Sequence, residues 1–330
     1  TMGNTIFGII LAVLSSLIMA VNVFMVVALV QLIWKTRSFG LCFILNLAVA
    51  DSLVGFTITG LVTEELSNAQ HKTPQNYCVL RMACVTCPSA ASIITVILVT
   101  FDRYLTIKHP FQYFRIMGGY VVGACLAGLW LLACFIGFLP LIAHSLQKKN
   151  YEGLCTFFRV FQPTYMLTVF CVVFFPAFFI FIYFHYDLLK IASLHAQQIR
   201  ELEPTGLTET CPAPPLSNIT KGLRTVAILV GCFGVLWSPF FIGSIVQIAC
   251  ERCNLDDLLE RYLWVMGVCN SLVNPLIYAY RQKEVRLQIC QMCVCMKIKV
   301  FPLFHGHSQS HAPSRARPSV HIISLAHLEG

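Results

Sequence analysis

Seven stretches of this sequence run for about 20 residues or more with no charge or one isolated charge, which leaves few architectures open. They are Ile6 to Trp34, Phe39 to Val62, Met82 to Phe101, Met117 to Gln147, Val160 to Tyr186, Thr225 to Cys250 and Tyr262 to Tyr280. At about 1.5 Å of rise per residue, each run crosses the roughly 30 Å of bilayer hydrocarbon as a helix. Hydrocarbon offers backbone amides no partners, so a spanning segment must satisfy them internally. The fold expected is an all-α membrane protein. Residues 1–281 form a seven-transmembrane helix bundle, 282–299 an amphipathic membrane-surface helix, and 300–330 a disordered cytosolic tail. Only 12% of the residues are charged, about half the usual share of a soluble domain.

Charge sets the orientation. Most of the 23 Lys and Arg, among them Lys35, Arg37, Lys108, Arg115, Arg200, Lys221, Arg224 and Arg286, fall in segments that face the cytosol when the N-terminus is outside. The net charge of +8 is then topological and argues against nucleic acid as a partner. The expected address is the plasma membrane, multi-pass, with the N-terminus extracellular and the C-terminus cytosolic. The first run is too long, and lacks the basic start, for a cleavable signal peptide. Phe7 stands where myristoylation after Met2-Gly3 wants Ser or Thr.

Polar residues inside the runs need reasons. A carboxylate at mid-depth costs about 2.5 to 3.5 kcal/mol on insertion scales, which marks Asp51 as functional; a protonated carboxyl tying helices together is the structural alternative. Asn22 is expected to bond to it. Pro88, Pro176, Pro239 and Pro275 remove backbone donors and should kink their helices into hinges. Cys78 and Cys155 both fall on the outer, oxidising side, so a disulfide between them is expected. For Cys250 and Cys253 a small loop disulfide is preferred over zinc, since two further ligands are not evident. Glu201 to Asn218, rich in proline, reads as a cytosolic loop. Arg281 to Lys299 alternates basic residues with Val285, Leu287, Ile289 and Met292, as a membrane-surface helix would. Cys290, Cys293 and Cys295 there are either palmitoylation sites or buried thiols.

At the end of the third run Asp102, Arg103 and Tyr104 stand where the chain leaves the bilayer. A carboxylate beside a guanidinium at that boundary can act as a switch, with Arg103 paired in one state and reaching a docked protein in another. Together with Asn22, Asp51, Cys78, Trp130, Pro176, Trp237-x-Pro239 and Asn274-Pro275-x-x-Tyr278, this triplet resembles the rhodopsin-like G-protein-coupled receptors. Within that family, Leu45-Asn-Leu-Ala-Val-Ala-Asp51, Phe101 to Lys108, Glu260-Arg-Tyr-Leu-Trp264 and Asn274 to Tyr280 are similar to a group that senses lipid amides and lysophospholipids.

The resemblance implies N-acylethanolamides such as oleoylethanolamide, or lysophosphatidylcholine, as agonists. It also implies coupling to the heterotrimeric stimulatory G protein, a rise in cyclic AMP, a role in insulin secretion, arrestin as a further partner and membrane lipids as surroundings. Residue by residue, Asp51, Ser92, Asn270 and Asn274 match the family's allosteric sodium pocket; no other metal or cofactor is expected. Ile93, Pro176 and Phe233 match the transmission core, Trp237 the toggle below the ligand, and Asp102, Arg103, Tyr104, Asn274, Pro275 and Tyr278 the coupling switch. Two positions depart from the family. Ile219 and Thr220 stand where an acidic clasp often holds Arg103, and Phe184 replaces a tyrosine that faces Tyr278. High basal activity is therefore expected.

Receptors for amines carry a carboxylate in the upper third helix, where this chain has Val85 and Thr86, and the seventh run holds no lysine for a retinal Schiff base. What remains is an apolar shaft lined by Val85, Thr86, Phe157, Phe158, Trp237, Phe240, Phe241 and Trp264, with Glu65, Arg81, Glu260 and Arg261 near its mouth. An elongated lipid suits it. A receptor for another lipid or a nucleoside is the alternative within the fold, and a polytopic transporter the alternative outside it. Neither internal repeats nor a second mid-depth acid favours a transporter, and no catalytic motif marks an enzyme.

Overall fold

A computed structural model describes residues 2–66, 72–169, 173–202, 216–250 and 252–305, and among them no strand forms. The helices are α1 (Met2–Thr36), α2 (Leu41–Leu66), α3 (Gln75–Lys108), α4 (Pro110–Ile116), α5 (Gly119–Ile142), α6 (Phe157–Val160), α7 (Pro163–Val169), α8 (Phe175–Leu202), α9 (Leu216–Ala249), α10 (Trp264–Val268), α11 (Asn270–Arg281) and α12 (Lys283–His305). Two compact units result, Thr1–Ile289 and Cys290–Gly330.

Among the described residues, α1, α2, α3, α5 and α9 are each long and apolar enough to cross a membrane. The fifth and seventh spans both carry π-helical turns. In the fifth, a π turn at 173–174 runs into α8, whose second residue, Pro176, has no N–H to donate to the preceding turn. The seventh opens as a wide π-helical segment, Leu258–Leu263, before α10 and α11. Pro88, Pro239 and Pro275 do lie inside α3, α9 and α11, and Pro140 inside α5 is a further one.

Side-chain hydrogen bonds fix the register of the bundle. Ser15 donates to the Gly55 carbonyl at 2.7 Å, and α1 and α2 approach so closely that a Cβ on Gly55 would lie 2.8 Å from Met19 Cγ. Asn46 of α2 donates to Thr95 of α3 at 2.9 Å and accepts from the Trp130 indole of α5 at 2.8 Å, joining three helices through one amide. Tyr165 of α7 donates to the Ile136 carbonyl at 2.6 Å. α3 occupies the middle, against α2, α5, α8 and α9. Large apolar side chains such as Ile10, Val13, Phe135, Leu131 and Phe179 stay exposed, as a surface solvated by hydrocarbon allows.

The loop after α5 folds back over the bundle. Gln147 and Phe161 form an isolated antiparallel bridge, and Cys155 is bonded to Cys78 at the start of α3. Gly153 turns the loop at φ +94, a left-handed conformation that glycine adopts without a Cβ clash. Cys250 and Cys253 are also bonded.

α12 corrects the expected amphipathic pattern. Val285 and Gln288 are buried while Leu287 is half exposed, because residues two apart on a helix point about 200° away from each other. The helix also continues past residue 299 to His305; residues 306–330 lie outside the described residues. Gln288 donates to Gln31 at 2.7 Å and accepts from Lys35 at 2.8 Å, which ties α12 to the end of α1. Cys290, Cys293 and Cys295 are exposed rather than buried.

Candidate functional site

At the disulfide end of the bundle the helices part around a cavity of about 930 Å³. Its wall on α3 is Met82, Val85, Thr86, Ser89, Ala90 and Ile93, and its opposite wall is Phe174, Trp237, Phe240, Phe241 and Trp264. Phe157 and Phe158 close it from the folded-back loop, and Phe7, Leu11 and Leu61 extend it towards α1 and α2. The aromatic wall is cross-braced: Phe174 and Phe241 stack with ring centroids 3.8 Å apart, and Trp237 meets Phe240 edge-on at 6.1 Å. Such contacts hold the rings in place before any ligand arrives.

Charge is confined to the rim, where Glu152, Asp256, Asp257 and Glu260 alternate with Lys72, Arg159 and Arg261. Arg159 pairs with Asp256 at 3.7 Å and Arg261 with Asp257 at 3.6 Å. Glu260 differs from its neighbours. Its Oε1 and the Thr156 hydroxyl are both buried with no completed hydrogen bond, an unusual cost that a ligand head could relieve.

Arg81, expected at the mouth, is not part of this lining; its guanidinium lies over the Tyr77 ring at 5.0 Å. The Glu65 side chain lies outside the described residues. Phe7, Ser89, Thr156, Phe174, Asp256 and Asp257 were not foreseen. Only Phe174, two residues before Pro176, had a signal in the aromatic run of α8; the others sit on segments whose facing direction packing decides.

Below the cavity floor, Trp237 rests on Gly267, where a Cβ would come 2.6 Å from the indole. Phe233, one turn further, is fully buried between Phe181 and Phe174, at 5.5 and 5.7 Å. Ile93 is buried across from it on α3. Of the three residues expected to form the transmission core, Ile93 and Phe233 are buried, with Phe174 and Phe181 against Phe233, whereas Pro176 is exposed.

Asp51 is fully buried and accepts three hydrogen bonds, from Ser92 at 2.6 Å, Ser271 at 2.8 Å and Asn274 at 3.0 Å. Two expectations change here. Asn22 does not bond to Asp51; its amide donates to the carbonyls of Ile18 and Ser271, both at 2.9 Å. Ser271, not Asn270, supplies the third donor, because the irregular junction at Cys269 turns α11 so that Ser271 faces α2. Asn270 Oδ1 is left buried without a donor.

At the opposite end, Arg103 lies 3.6 Å from Asp102, and Tyr113 of α4 donates to Asp102 at 2.6 Å. The Tyr104 hydroxyl donates to Asp187 of α8 at 2.6 Å, and Lys108 pairs with the same carboxylate oxygen at 2.6 Å. Phe184 stacks on Tyr104 at 4.7 Å rather than facing Tyr278. The Tyr278 hydroxyl is buried with no hydrogen-bond partner among the described residues, and Pro275 and Asn274 lie beside it in α11. The side chains of Ile219 and Thr220 are outside the described residues, and with them the region of the missing acidic clasp.

Residues 8–278 match the profile of the 7 transmembrane receptor (rhodopsin family). The chain is 51% identical to the human glucose-dependent insulinotropic receptor over 98% of its own length and 97% of that protein. To the same receptor of Rattus norvegicus it is 54% identical over 87% of this chain and 62% of the relative. A more distant likeness, 29% identity over 77% of the chain and 67% of the relative, is to the 5-hydroxytryptamine receptor 4 of Rattus norvegicus.

Proposed function

Because the chain belongs to the rhodopsin family of seven-transmembrane receptors, and is thus a multi-pass G-protein-coupled receptor, we propose that it senses lipids and raises cyclic AMP through the stimulatory G protein. The agonist class is an acyl chain with a small hydroxyl or amide head, oleoylethanolamide for one, with lysophosphatidylcholine as a second class. The cavity carries this reading: about 930 Å³, walled by aromatics on one side, and charged only at its rim. Val85 and Thr86 offer no carboxylate to an amine on α3, which argues against the ligand in the name of the 5-hydroxytryptamine relative. The family also excludes the transporter and enzyme readings.

From water, about 16 methylenes would supply about 13 kcal/mol. A lipid arriving from the bilayer gains little of that, because its chain already lies in hydrocarbon. Selectivity then rests on fit and on the head, for which the unpaired Glu260 Oε1 and Thr156 hydroxyl are the acceptor and donor at the rim. Rigid agonists should bind more tightly than natural lipids, since they lose less conformational entropy.

The basic residues at the Arg103 end and the two disulfides at the other support an orientation with the cavity outside and Arg103 in the cytosol at the plasma membrane. An occupant bearing on Trp237 presses its indole against Gly267 and biases α9 outward. Arg103 then leaves Asp102 and meets the C-terminal helix of the G protein. The change is a shift of a few kcal/mol between states already present, with high basal signalling as part of the proposal. Arrestin would read the tail beyond His305. The Asp51 carboxylate and the Ser92 and Ser271 hydroxyls on it are oxygen donors of the kind sodium takes, and the expected set adds Asn274, which also bonds to Asp51, and Asn270, whose oxygen is buried without a donor. Such an ion would add positive charge that holds the resting arrangement.

Cyclic AMP in cells expressing the receptor tests the proposal, without ligand and with oleoylethanolamide, beside Arg103→Ala at matched surface level. The expected result is a raised basal signal, increased by the lipid and absent in the variant. A flat response at proven surface expression overturns the lipid and stimulatory-coupling reading.

A further inference from the structure

Two thiols meet across the seam between α3 and α5, away from everything the receptor switch uses. Cys87 Sγ and Cys134 Sγ are 3.6 Å apart. Cys87 is buried among Ala90, Ala91, Leu129 and Ala133. Cys134 is exposed on a face that also presents Leu131, Leu132 and Phe135, so its surroundings are lipid. The backbones are as near as they can come. A Cβ on Gly137, one turn from Cys134, would lie 2.9 Å from Cys87 Cβ and 3.1 Å from the Ala83 carbonyl.

We propose that Cys87 and Cys134 form an oxidation site within the bilayer, a latent disulfide that lipid peroxyl radicals close. The sulfurs must approach from 3.6 Å to about 2.05 Å, and both side chains can turn about χ1. Hydrocarbon disfavours a thiolate, which blocks the usual ionic exchange. Hydrogen-atom transfer needs no ion.

The exposed Cys134 S–H gives its hydrogen atom to one peroxyl radical, producing a hydroperoxide and a thiyl radical on Cys134. The Cys134 thiyl takes the hydrogen atom of the buried Cys87 S–H across the 3.6 Å gap, the restored Cys134 S–H gives it to a second peroxyl radical, and the resulting pair of thiyl radicals combines. Two S–H bonds break, one S–S bond forms, and two peroxyl radicals become two hydroperoxides. The exposed thiol meets the oxidant and the buried one resolves it, an arrangement a solitary lipid-facing cysteine lacks. Cys84, one turn before Cys87 on α3, is exposed as well and serves as the internal control. The bond would lock α3 to α5 one residue before Pro88, behind the cavity wall formed by Thr86, Ser89 and Ala90. This inference requires only a membrane-spanning chain and stands whichever ligand fills the cavity.

The test uses the full-length receptor in nanodiscs of linoleoyl phosphatidylcholine, treated with a lipophilic azo initiator. Free thiols are then blocked, and tryptic peptides are read by mass spectrometry with and without reductant. Cleavage after Arg81, Arg103, Arg115 and Lys148 puts the two thiols on separate peptides, Met82 to Arg103 and Ile116 to Lys148. The expected result is a reductant-sensitive species joining them in the wild type and in Cys84→Ala, and lost in both Cys87→Ala and Cys134→Ala. Oxidised wild type should also unfold at a higher temperature than its reduced form, a shift missing in Cys134→Ala. No joined species at a dose that consumes the linoleoyl chains overturns the proposal. So does a joined species that survives Cys134→Ala or disappears in Cys84→Ala.

Discussion

The hydroxyl of Tyr104 donates to Asp187 across 2.6 Å, and so joins α3 to α8 one residue from Arg103. Lys108 completes the cluster on the same carboxylate. This clasp lies at the end of the bundle where the proposed switch would release Arg103, and it links helices that signalling would move apart. A charge-assisted hydrogen bond is stronger than a neutral one, and the partial exposure here weakens it. Asp187→Asn should raise basal cyclic AMP several-fold, as should Tyr104→Phe to a smaller degree. Unchanged basal signal in both would reduce the cluster to a solvated pair.

Gly267 sets the height of Trp237. An alanine there would place its Cβ 2.6 Å from the indole, and overpacking of that kind costs about 1 to 3 kcal/mol. The strain is relieved when α9 moves outward, the displacement an agonist would bias. Gly267→Ala should therefore signal without ligand and respond weakly to added lipid, measured as cyclic AMP at matched surface expression. A normal dose response in this variant would show that Trp237 is not the moving part.

Ser271 is one of three donors on a fully buried carboxyl. Ser271→Ala removes one hydrogen bond and should lower the stability of the purified receptor by about 1 to 3 kcal/mol. Asn270→Ala, whose side chain bonds nothing through Oδ1, should cost less by the same thermal assay. The reverse ranking would mean that Asn270, not Ser271, completes the pocket.

The two disulfides should differ in weight. By loop closure, the Cys78–Cys155 bond, with a sequence separation of 77, contributes about 4 to 5 kcal/mol, and the Cys250–Cys253 bond, with a separation of 3, about 2 kcal/mol. Replacing both members of the first pair by serine should abolish most surface expression, whereas the second pair should lower it modestly. Equal losses would show that the small loop positions Asp256 and Asp257 in a way chain entropy does not capture.

Much of the receptor was legible in the chain itself. The absence of charge over seven runs dictates helices in hydrocarbon, because no other backbone conformation satisfies its amides there. Shared location on the oxidising side paired Cys78 with Cys155, and a carboxylate at mid-depth marked Asp51 as unusual. Periodicity places a residue on one face of its own helix, but it says nothing of how one helix is rotated or shifted against another. Only packing could therefore decide that Ser271 faces Asp51 and Asn22 does not, that Asp187 meets Tyr104, that Pro176 points outward, and that Cys134 finds Cys87. Each depends on how the helices are rotated and set against one another, which packing alone decides.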